Sequence, residues 1–129
     1  MKKRRILAVD DDADNNFSLK LRLEKLDPRY EVITIDSGKK CLELLENNEI
    51  PDLILMDIMM PEANGWETYQ KLKGNSTWKD IPVIFVSASS DELAERIKGL
   101  LGDDYIEKPY DIENVKKRID EILENVSHN

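Results

Sequence analysis

The central feature of the sequence is Pro51-Asp52-Leu53-Ile54-Leu55-Met56-Asp57-Ile58-Met59-Met60-Pro61. Residues 53–56 form an unbroken apolar run between the two prolines, and the run is too short for a helix of ordinary length. A run of this kind, without polar alternation, is typical of a strand buried on both faces of a parallel sheet. Asp57 follows directly, and ligand sites in open α/β sheets lie just beyond the carboxyl ends of the strands. Asp57 is therefore the first candidate functional residue.

The composition indicates one globular domain. The chain has 129 residues, of which 40% are hydrophobic and 36% charged, and we expect its core to run from about residue 4 to residue 125. A net charge of -8 argues against general binding of nucleic acid. No apolar run approaches the roughly 20 residues that cross a bilayer, and no signal-peptide pattern follows the basic start. The single Cys41 excludes an intramolecular disulfide, and we expect a cytoplasmic protein.

Apolar patterning predicts strands that alternate with helices. Strands are predicted at residues 6–9, 31–35, 53–56, 81–86 and 105–106. Helical spacing predicts five helices, marked by Phe17, Leu19, Leu21, Leu23 and Leu26, by a Ser37 cap before Cys41, by residues 66–73, by a capping box at Ser89–Glu92, and by an Asp111 cap. This alternation predicts right-handed crossovers and a parallel sheet covered on both faces.

Polar residues stand at the ends of four predicted strands. They are Asp10, Asp11 and Asp12 after the first, Asp57 after the third, Ser87 after the fourth and Lys108 after the fifth. The carboxyl ends of parallel strands meet at one edge, so we expect a cluster of carboxylates with one hydroxyl and one ammonium. Oxygen ligands suit a hard cation such as Mg²⁺, whereas the cysteine and histidine ligands typical of zinc are absent there. The pattern predicts a phosphoryl site at which a carboxylate attacks in line to form an aspartyl-phosphate.

The chain resembles the receiver domain of two-component response regulators. Four motifs carry the resemblance, in order and at family-like spacing: V-D-D-D at 9–12, L-M-D-I-M-M-P-E-A-N-G-W-E at 55–67, V-S-A at 86–88 and D-D-Y-I-E-K-P-Y-D at 103–111. The resemblance implies a flavodoxin-like or CheY-like α/β fold, a doubly wound five-stranded parallel sheet of order 2-1-3-4-5 with five helices. It implies a single receiver domain over residues 1–129, and we expect no output domain in the chain unless the sequence is part of a longer protein.

By this resemblance, Asp57 would be the phosphoacceptor. Asp11 would be a direct Mg²⁺ ligand, with Asp10 acting mainly through water and the backbone carbonyl of Met59 completing the protein ligands. Asp12 falls outside the acidic pair, and we expect it to be solvated. Met59 also replaces a polar residue that is often present at this position in the family. We therefore hypothesise slow self-dephosphorylation, which an unchanged rate of phosphate loss in Met59→Asn would contradict.

The remaining site residues belong to the contact with the phosphoryl group and to the switch. The resemblance implies that Lys108 contacts the phosphoryl oxygens and that its bond to Pro109 is cis. Ser87 would be the switch hydroxyl, and Tyr105 the aromatic that turns inward when this hydroxyl engages the phosphate. The added charge would shift the population between two packings of the face formed by the fourth helix, the fifth strand and the fifth helix.

The implied function is phosphorylation-controlled signalling. A histidine kinase or phosphotransfer protein would supply the phosphoryl group, and the chain would catalyse its own phosphorylation and dephosphorylation without being a classical enzyme. Output would pass to a downstream protein, with no direct binding of nucleic acid or membrane. We expect a monomer or a weak dimer, since Arg118 and Asp103 or Asp104 resemble positions that form salt bridges in dimers of one receiver subfamily.

Two alternatives remain open from the sequence. Asp10-x-Asp12, together with Ser87, Lys108 and the later acidic pair, superficially resembles the haloacid-dehalogenase phosphatases, although the order of the lysine and the acidic pair differs. A receiver that acts only as an interaction or dimerisation module is the other alternative. The presence of every expected site residue disfavours it. The segment at 100–104 is about one residue shorter than usual in the family, which leaves the end of the fourth helix undefined.

Overall fold

The computed structural model describes residues 3–58, 65–87, 95–96, 99 and 105–127, with side chains in the last segment described as far as residue 125. Five strands and four helices have defined bounds in this part of the chain. In order, they are β1 Arg4–Val9, α1 Ala13–Leu26, β2 Tyr30–Ile35, α2 Gly38–Glu46, β3 Leu53–Asp57, α3 Gly65–Lys73, β4 Val83–Ser87, β5 Tyr105–Glu107 and α4 Ile112–Ser127. Helix α4 corresponds to the fifth helix predicted from the sequence.

The strands form one parallel sheet in the order β2-β1-β3-β4-β5. This order confirms the predicted doubly wound topology. The central strand is buried as predicted, because Leu53, Ile54, Leu55 and Met56 are at most 2% exposed. Their side chains alternate between the two faces of the sheet, so the unbroken apolar run supplies both halves of the core.

Helices cover both faces of the sheet and form two hydrophobic layers. On one face, α1 and α4 contribute Leu19, Leu23, Val115 and Ile119 to a cluster with Ile6 and other strand residues. On the other face, α2 and α3 contribute Cys41, Leu45 and Leu72. Burial raises the pKa of the Cys41 thiol to about 12, so this cysteine behaves as a small apolar side chain.

Three side chains cap helix N-termini where the sequence places cap-forming residues. The Ser37 hydroxyl accepts the Lys40 N–H of α2 at 3.2 Å, and the Asp111 carboxylate accepts the Glu113 N–H of α4 at 3.1 Å, as predicted. The sequence predicts only that Asp12 is solvated. It is exposed, but its carboxylate also accepts the N–H groups of Asp14 and Asn15 at 3.0 and 3.2 Å. Asp12 is therefore the N-cap of α1.

Only some of the apolar residues that mark α1 in the sequence face the sheet. Leu19 and Leu23 are buried, whereas Phe17 is 68% exposed and Leu21 57% exposed. Residues 16, 19 and 23 share the face that packs on the sheet, so positions 17 and 21 lie on the opposite side of the helix.

Some predictions fall on residues that the structure does not describe. The predicted fourth helix falls on residues 88–104, of which residues 95, 96 and 99 are described, and these three are helical. The carbonyl of Met59, Asp103 and Asp104 also lie outside the described residues. None of the described helices is both long enough and apolar enough to span a bilayer.

Candidate functional site

Three carboxylates meet at the C-terminal edge of the sheet. The pairing of Val9 with Met56 brings Asp10, which follows β1, level with Asp57 at the end of β3. One carboxylate oxygen from each of Asp10, Asp11 and Asp57 lies within 4.8 Å of the other two. Asp10 is 8% exposed and Asp57 half-buried, while Asp11 is exposed. Three anionic oxygens this close fit the donor set that a hard divalent cation prefers.

Lys108 reaches into this cluster from the end of β5. Its Nζ lies 3.0 Å from Oδ2 of Asp10 and 3.3 Å from Oδ2 of Asp57. Burial lowers the pKa of Lys108, but the hydrogen bond to Asp10 and the charges of Asp57 and Asp10 outweigh that effect and raise the pKa overall. Lys108 therefore remains an ammonium between two carboxylates.

The backbone holds Lys108 at this position. Its N–H donates to the carbonyl of Ser87 at 2.8 Å, which joins the end of β5 to the end of β4. The peptide bond between Lys108 and Pro109 is cis, as the resemblance implies.

The two predicted switch residues lie on the neighbouring strands. Ser87 is the last residue of β4, one position beyond Val86, which pairs with Asp57. Tyr105 begins β5, where it pairs with Phe85 and packs in the cluster covered by α2 and α3. Both residues are buried, Ser87 at 1% exposed and Tyr105 at 6%. The structure thus places Ser87 beside the strand that carries Asp57, and Tyr105 inward.

Gly65 gives the helix after β3 close access to the site. Its N–H donates to the carbonyl of Ile58 at 2.8 Å, and a Cβ at Gly65 would overlap the carbonyl oxygen of Asp57. Residue type alone indicates only that a glycine can form a turn. The close approach follows from the packing of α3 against β3, and it explains why a side chain is excluded there.

Asn16 is a site residue that the sequence analysis missed. It is 6% exposed and lines the same small pocket as Asp10, Asp57, Lys108 and Tyr110. Its position three residues before Leu19, on the buried stripe of α1, was the available signal. A polar residue on such a stripe is either hydrogen-bonded or costly to bury.

Arg118 lies away from the carboxylate cluster. It is half-buried on α4 and lines a separate cleft with Tyr105 and Tyr110. Its predicted acidic partners lie outside the described residues, so its salt bridge stays a prediction.

Comparisons with known proteins match this arrangement. A family model described as the response regulator receiver domain matches residues 6–120, a range that includes every site residue named above. A CheY-like response regulator receiver domain protein from Methanospirillum hungatei JF-1 has a similar structure, with a TM-score of 0.81 and 30% sequence identity, and the match covers 96% of each chain.

Two curated relatives are longer than this chain. A probable transcriptional regulator ycf27 from Porphyridium aerugineum is 38% identical over 128 residues, which cover 98% of this chain and 50% of the relative. A probable cyclic di-GMP phosphodiesterase from Vibrio cholerae serotype O1 is 38% identical over 121 residues, covering 93% of this chain and 26% of the relative. The chain spans half or less of the length of these two relatives.

Proposed function

The chain belongs to the response regulator receiver domain family, and on that premise we propose that Asp57 accepts a phosphoryl group. The donor is a phosphohistidine of a histidine kinase or phosphotransfer protein, or a small phosphodonor. One observation carries the proposal: Asp57 ends the central strand with an ammonium at 3.3 Å and two further carboxylates within 4.8 Å. This arrangement supports nucleophilic attack by one carboxylate on a phosphoryl group that the neighbouring groups can neutralise.

An oxygen of the Asp57 carboxylate attacks phosphorus, the P–N bond to the histidine breaks, and its electron pair returns to the imidazole nitrogen, which then takes up a proton. In dephosphorylation, water attacks phosphorus, the P–O bond to Asp57 breaks, and inorganic phosphate leaves. The chain would thus catalyse both its own phosphorylation and its own dephosphorylation.

Asp10, Asp11 and Asp57 would hold a magnesium ion, together with the backbone carbonyl of Met59. Bound Mg²⁺ supplies positive charge that offsets the charge of the phosphoryl oxygens. Lys108 supplies a second positive charge, and its contacts with Asp10 and Asp57 keep its ammonium within reach of a group on Asp57. The apolar side chain of Met59 cannot orient a hydrolytic water, which supports the hypothesis of slow phosphate loss.

Ser87 and Tyr105 would transmit the charge on Asp57 to the partner-binding face. Ser87 ends the strand next to β3, and Tyr105 belongs to the strand after it. The inward position of Tyr105, at 6% exposed, supports a packing that exists before phosphorylation and becomes more populated after it. The face itself comprises β5, α4 and the predicted fourth helix.

Receiver domains interact with histidine kinases and downstream effector domains, and we propose that this chain acts on a protein partner through that face. The same receiver occupies half of the ycf27 relative and about a quarter of the phosphodiesterase relative, so the family combines it with different further segments.

We propose that the chain is a monomer or a weak dimer, and that the dimer uses Arg118. Sedimentation velocity with and without beryllofluoride and Mg²⁺ tests this, since a strong dimer in both conditions would contradict it.

The phosphatase alternative lacks structural support. In that reading Asp10 would be the nucleophile and Asp12 would exchange protons with the substrate. Instead, the carboxylate of Asp12 accepts the N–H groups of Asp14 and Asn15 at the start of α1. A carboxylate that caps a helix is poorly placed for proton transfer at the pocket.

Incubation with acetyl phosphate and MgCl₂, followed by intact mass measurement, tests the proposed function. Wild type is expected to gain the mass of one phosphoryl group, and Asp57→Asn none, because an amide cannot form the acyl phosphate. Asp52→Asn is the matched control. Asp52 precedes the same strand at its other end and accepts the N–H of Arg5 at 2.8 Å, so its loss should leave phosphorylation intact.

Two results would contradict the proposal. One is equal mass gain by wild type and Asp57→Asn, which would place the modification elsewhere. The other is steady turnover of a phosphomonoester that Asp10→Asn abolishes and Asp57→Asn does not, which would favour the phosphatase.

A further inference from the structure

A set of hydrogen bonds surrounds the main chain of Asp10. Nδ2 of Asn16 donates to the carbonyl of Asp10 at 2.9 Å and to the carbonyl of Ile35 at 3.0 Å. The N–H of Asp10 donates to the same Ile35 carbonyl at 3.1 Å. Both neighbours of the Asn16 amide are carbonyl oxygens, so only its NH₂ end can face them. One side chain of α1 therefore joins the C-terminal ends of β1 and β2.

Both carboxylate oxygens of Asp10 are also hydrogen-bonded. Its Oδ1 accepts the N–H of Asp12 at 2.9 Å, and its Oδ2 accepts Nζ of Lys108 at 3.0 Å. Asp11, in contrast, is exposed, and its direction depends on the peptide that joins it to Asp10. The carbonyl of that peptide is the one that Asn16 holds. Because the peptide is planar, holding this carbonyl fixes the plane of the Asp10–Asp11 peptide. It thereby fixes the direction in which the Asp11 side chain leaves the main chain.

We propose that Asn16 is a positioning residue that orients the Asp10–Asp11 peptide so that Asp11 meets Asp57 in a shared cation site. This inference rests on the proposed function, because it concerns the same carboxylates. Asn16 does not touch the phosphoryl group; it acts through the main chain. Its burial supports this role, since a 6% exposed amide is a poor ligand for a hydrated ion but a strong anchor for two carbonyls.

Asn16→Leu tests the inference, because leucine has the same branching and number of side-chain heavy atoms and neither donor. Isothermal titration of the full chain with MgCl₂ is expected to give about 10- to 100-fold weaker affinity than wild type, the range typical of residues that orient metal ligands. Amide hydrogen exchange of the segment spanning Asp10 and Asp11 is expected to be faster. This second measurement needs no metal. Asn16→Ser, whose hydroxyl can donate to only one carbonyl, is expected to lie between wild type and Asn16→Leu in both measurements.

Leu23→Ala is the matched control. Leu23 lies on the same buried stripe of α1, two turns along, and its truncation weakens the helix packing without touching the two carbonyls. It is expected to lower the urea midpoint and leave Mg²⁺ affinity unchanged. Equal affinity in Asn16→Leu and wild type would overturn the inference, as would a loss in Leu23→Ala that matches the loss in Asn16→Leu.

The inference and the proposed function can fail separately. If wild type gains a phosphoryl group on Asp57 and Asn16→Leu binds Mg²⁺ normally, only the inference fails. If wild type binds Mg²⁺, Asn16→Leu binds it weakly and Asp57 accepts no phosphoryl group, only the proposed function fails. If wild type binds no Mg²⁺, both fail.

Discussion

Lys108 balances part of the negative charge at the strand ends. It contacts Asp10 and Asp57, and the side chains of these three residues are 18% exposed or less, so water screens them only partly. Asp11 adds a third carboxylate nearby. A bound cation would neutralise the same carboxylate oxygens as the Lys108 ammonium. The two positive charges would therefore compete for these oxygens when both are present, and either would stabilise the carboxylates when the other is absent.

Lys108→Met is therefore expected to lower the free energy of unfolding by about 1–3 kcal/mol at neutral pH without divalent ions, because partly buried carboxylates lose a charged donor. MgCl₂ should restore part of this loss, and should stabilise the variant more than it stabilises wild type. Urea unfolding with and without MgCl₂ measures both effects.

Lys117→Met is the matched control for Lys108→Met. Lys117 is exposed on α4, and its loss changes the net charge of the chain equally. An equal response of the two variants to MgCl₂ would mean that net charge, not the contact of Lys108 with Asp10 and Asp57, decides the effect.

The run Asp10-Asp11-Asp12 contains three acidic residues with three different environments. Asp10 is buried and hydrogen-bonded at its main chain and side chain, Asp11 is exposed beside Asp57, and Asp12 caps α1. Residue type is identical at all three positions. The difference arises because the chain turns from strand to helix across them, so each carboxylate points in its own direction.

Two side chains of α1 cover the open edge of the sheet at β2. Oε2 of Glu24 accepts the N–H of Val32 at 2.8 Å, and Nζ of Lys20 donates to the carbonyl of Val32 at 2.7 Å. Lys20 and Glu24 also pair with each other at 2.9 Å. The pair occupies the outward main-chain groups of Val32, which a further strand would use, and unpaired edges favour association between sheets.

Glu24→Leu is expected to lower the free energy of unfolding by about 1 kcal/mol, because the Val32 N–H loses a charged acceptor. It should also increase self-association, because this N–H becomes available to a second chain. Urea unfolding and sedimentation velocity over a range of protein concentrations measure the two effects.

Glu43→Leu, on the exposed side of α2, removes the same charge and adds the same apolar surface away from the sheet edge. Self-association as strong in Glu43→Leu as in Glu24→Leu would show that the added leucine, and not the opened edge, causes it.

A network of charged residues joins four elements at the end of the sheet opposite the candidate site. Asp120 of α4 accepts hydrogen bonds from Arg4 at 2.6 Å, from Lys116 at 2.7 Å and from the Tyr30 hydroxyl. Asp27, the C-cap of α1, is paired with Arg29 at 2.6 Å and lies 3.6 Å from Lys116. The network holds both helices of one layer to the starts of β1 and β2.

Both carboxylates of this network titrate below their ordinary range. Hydrogen bonds from the Arg29 side chain and backbone lower the pKa of Asp27 strongly. Burial raises the pKa of Asp120, but hydrogen bonds from Lys116 and Tyr30 and the charges of Lys116 and Arg4 outweigh it and lower the pKa overall. Each group therefore stabilises the fold above its unfolded pKa of about 3.9, and this contribution is lost as the pH falls through the folded pKa.

Asp120→Asn is expected to lower the free energy of unfolding by about 2 kcal/mol at neutral pH, because the charge-assisted hydrogen bonds weaken. The difference from wild type should shrink as the pH falls below about 3.9, where the unfolded wild type takes up the proton. Urea unfolding between neutral and acid pH measures the difference.

Asp36→Asn is the control for this pH dependence. Asp36 pairs with Lys40 at 3.0 Å, but both side chains are more than half exposed, so the pair should contribute little. A constant Asp120→Asn effect down to acid pH would contradict the assignment of the effect to a carboxylate with a lowered pKa.

Prediction from the sequence succeeded where the signal is local. The burial of residues 53–56 follows from an apolar run without alternation, and the Ser37 and Asp111 caps follow from residue type beside a helical stripe. Phe17 and Leu21 show what the local signal does not determine, namely which side of α1 faces the sheet. Their one-turn spacing fits a buried stripe as well as the spacing of Leu19 and Leu23 does, and only packing on the sheet decides which stripe faces inward.

The sequence by itself determined the alternation of strands and helices and the types of side chain that end each strand, because both depend on periodicity and order along the chain. The tertiary structure decided which of those side chains meet. Asn16 finds carbonyls on two strands, and Lys108 finds carboxylates about 50 and 100 residues away, only after register and helix phase are set. These contacts join segments far apart in sequence, so no local pattern contains them.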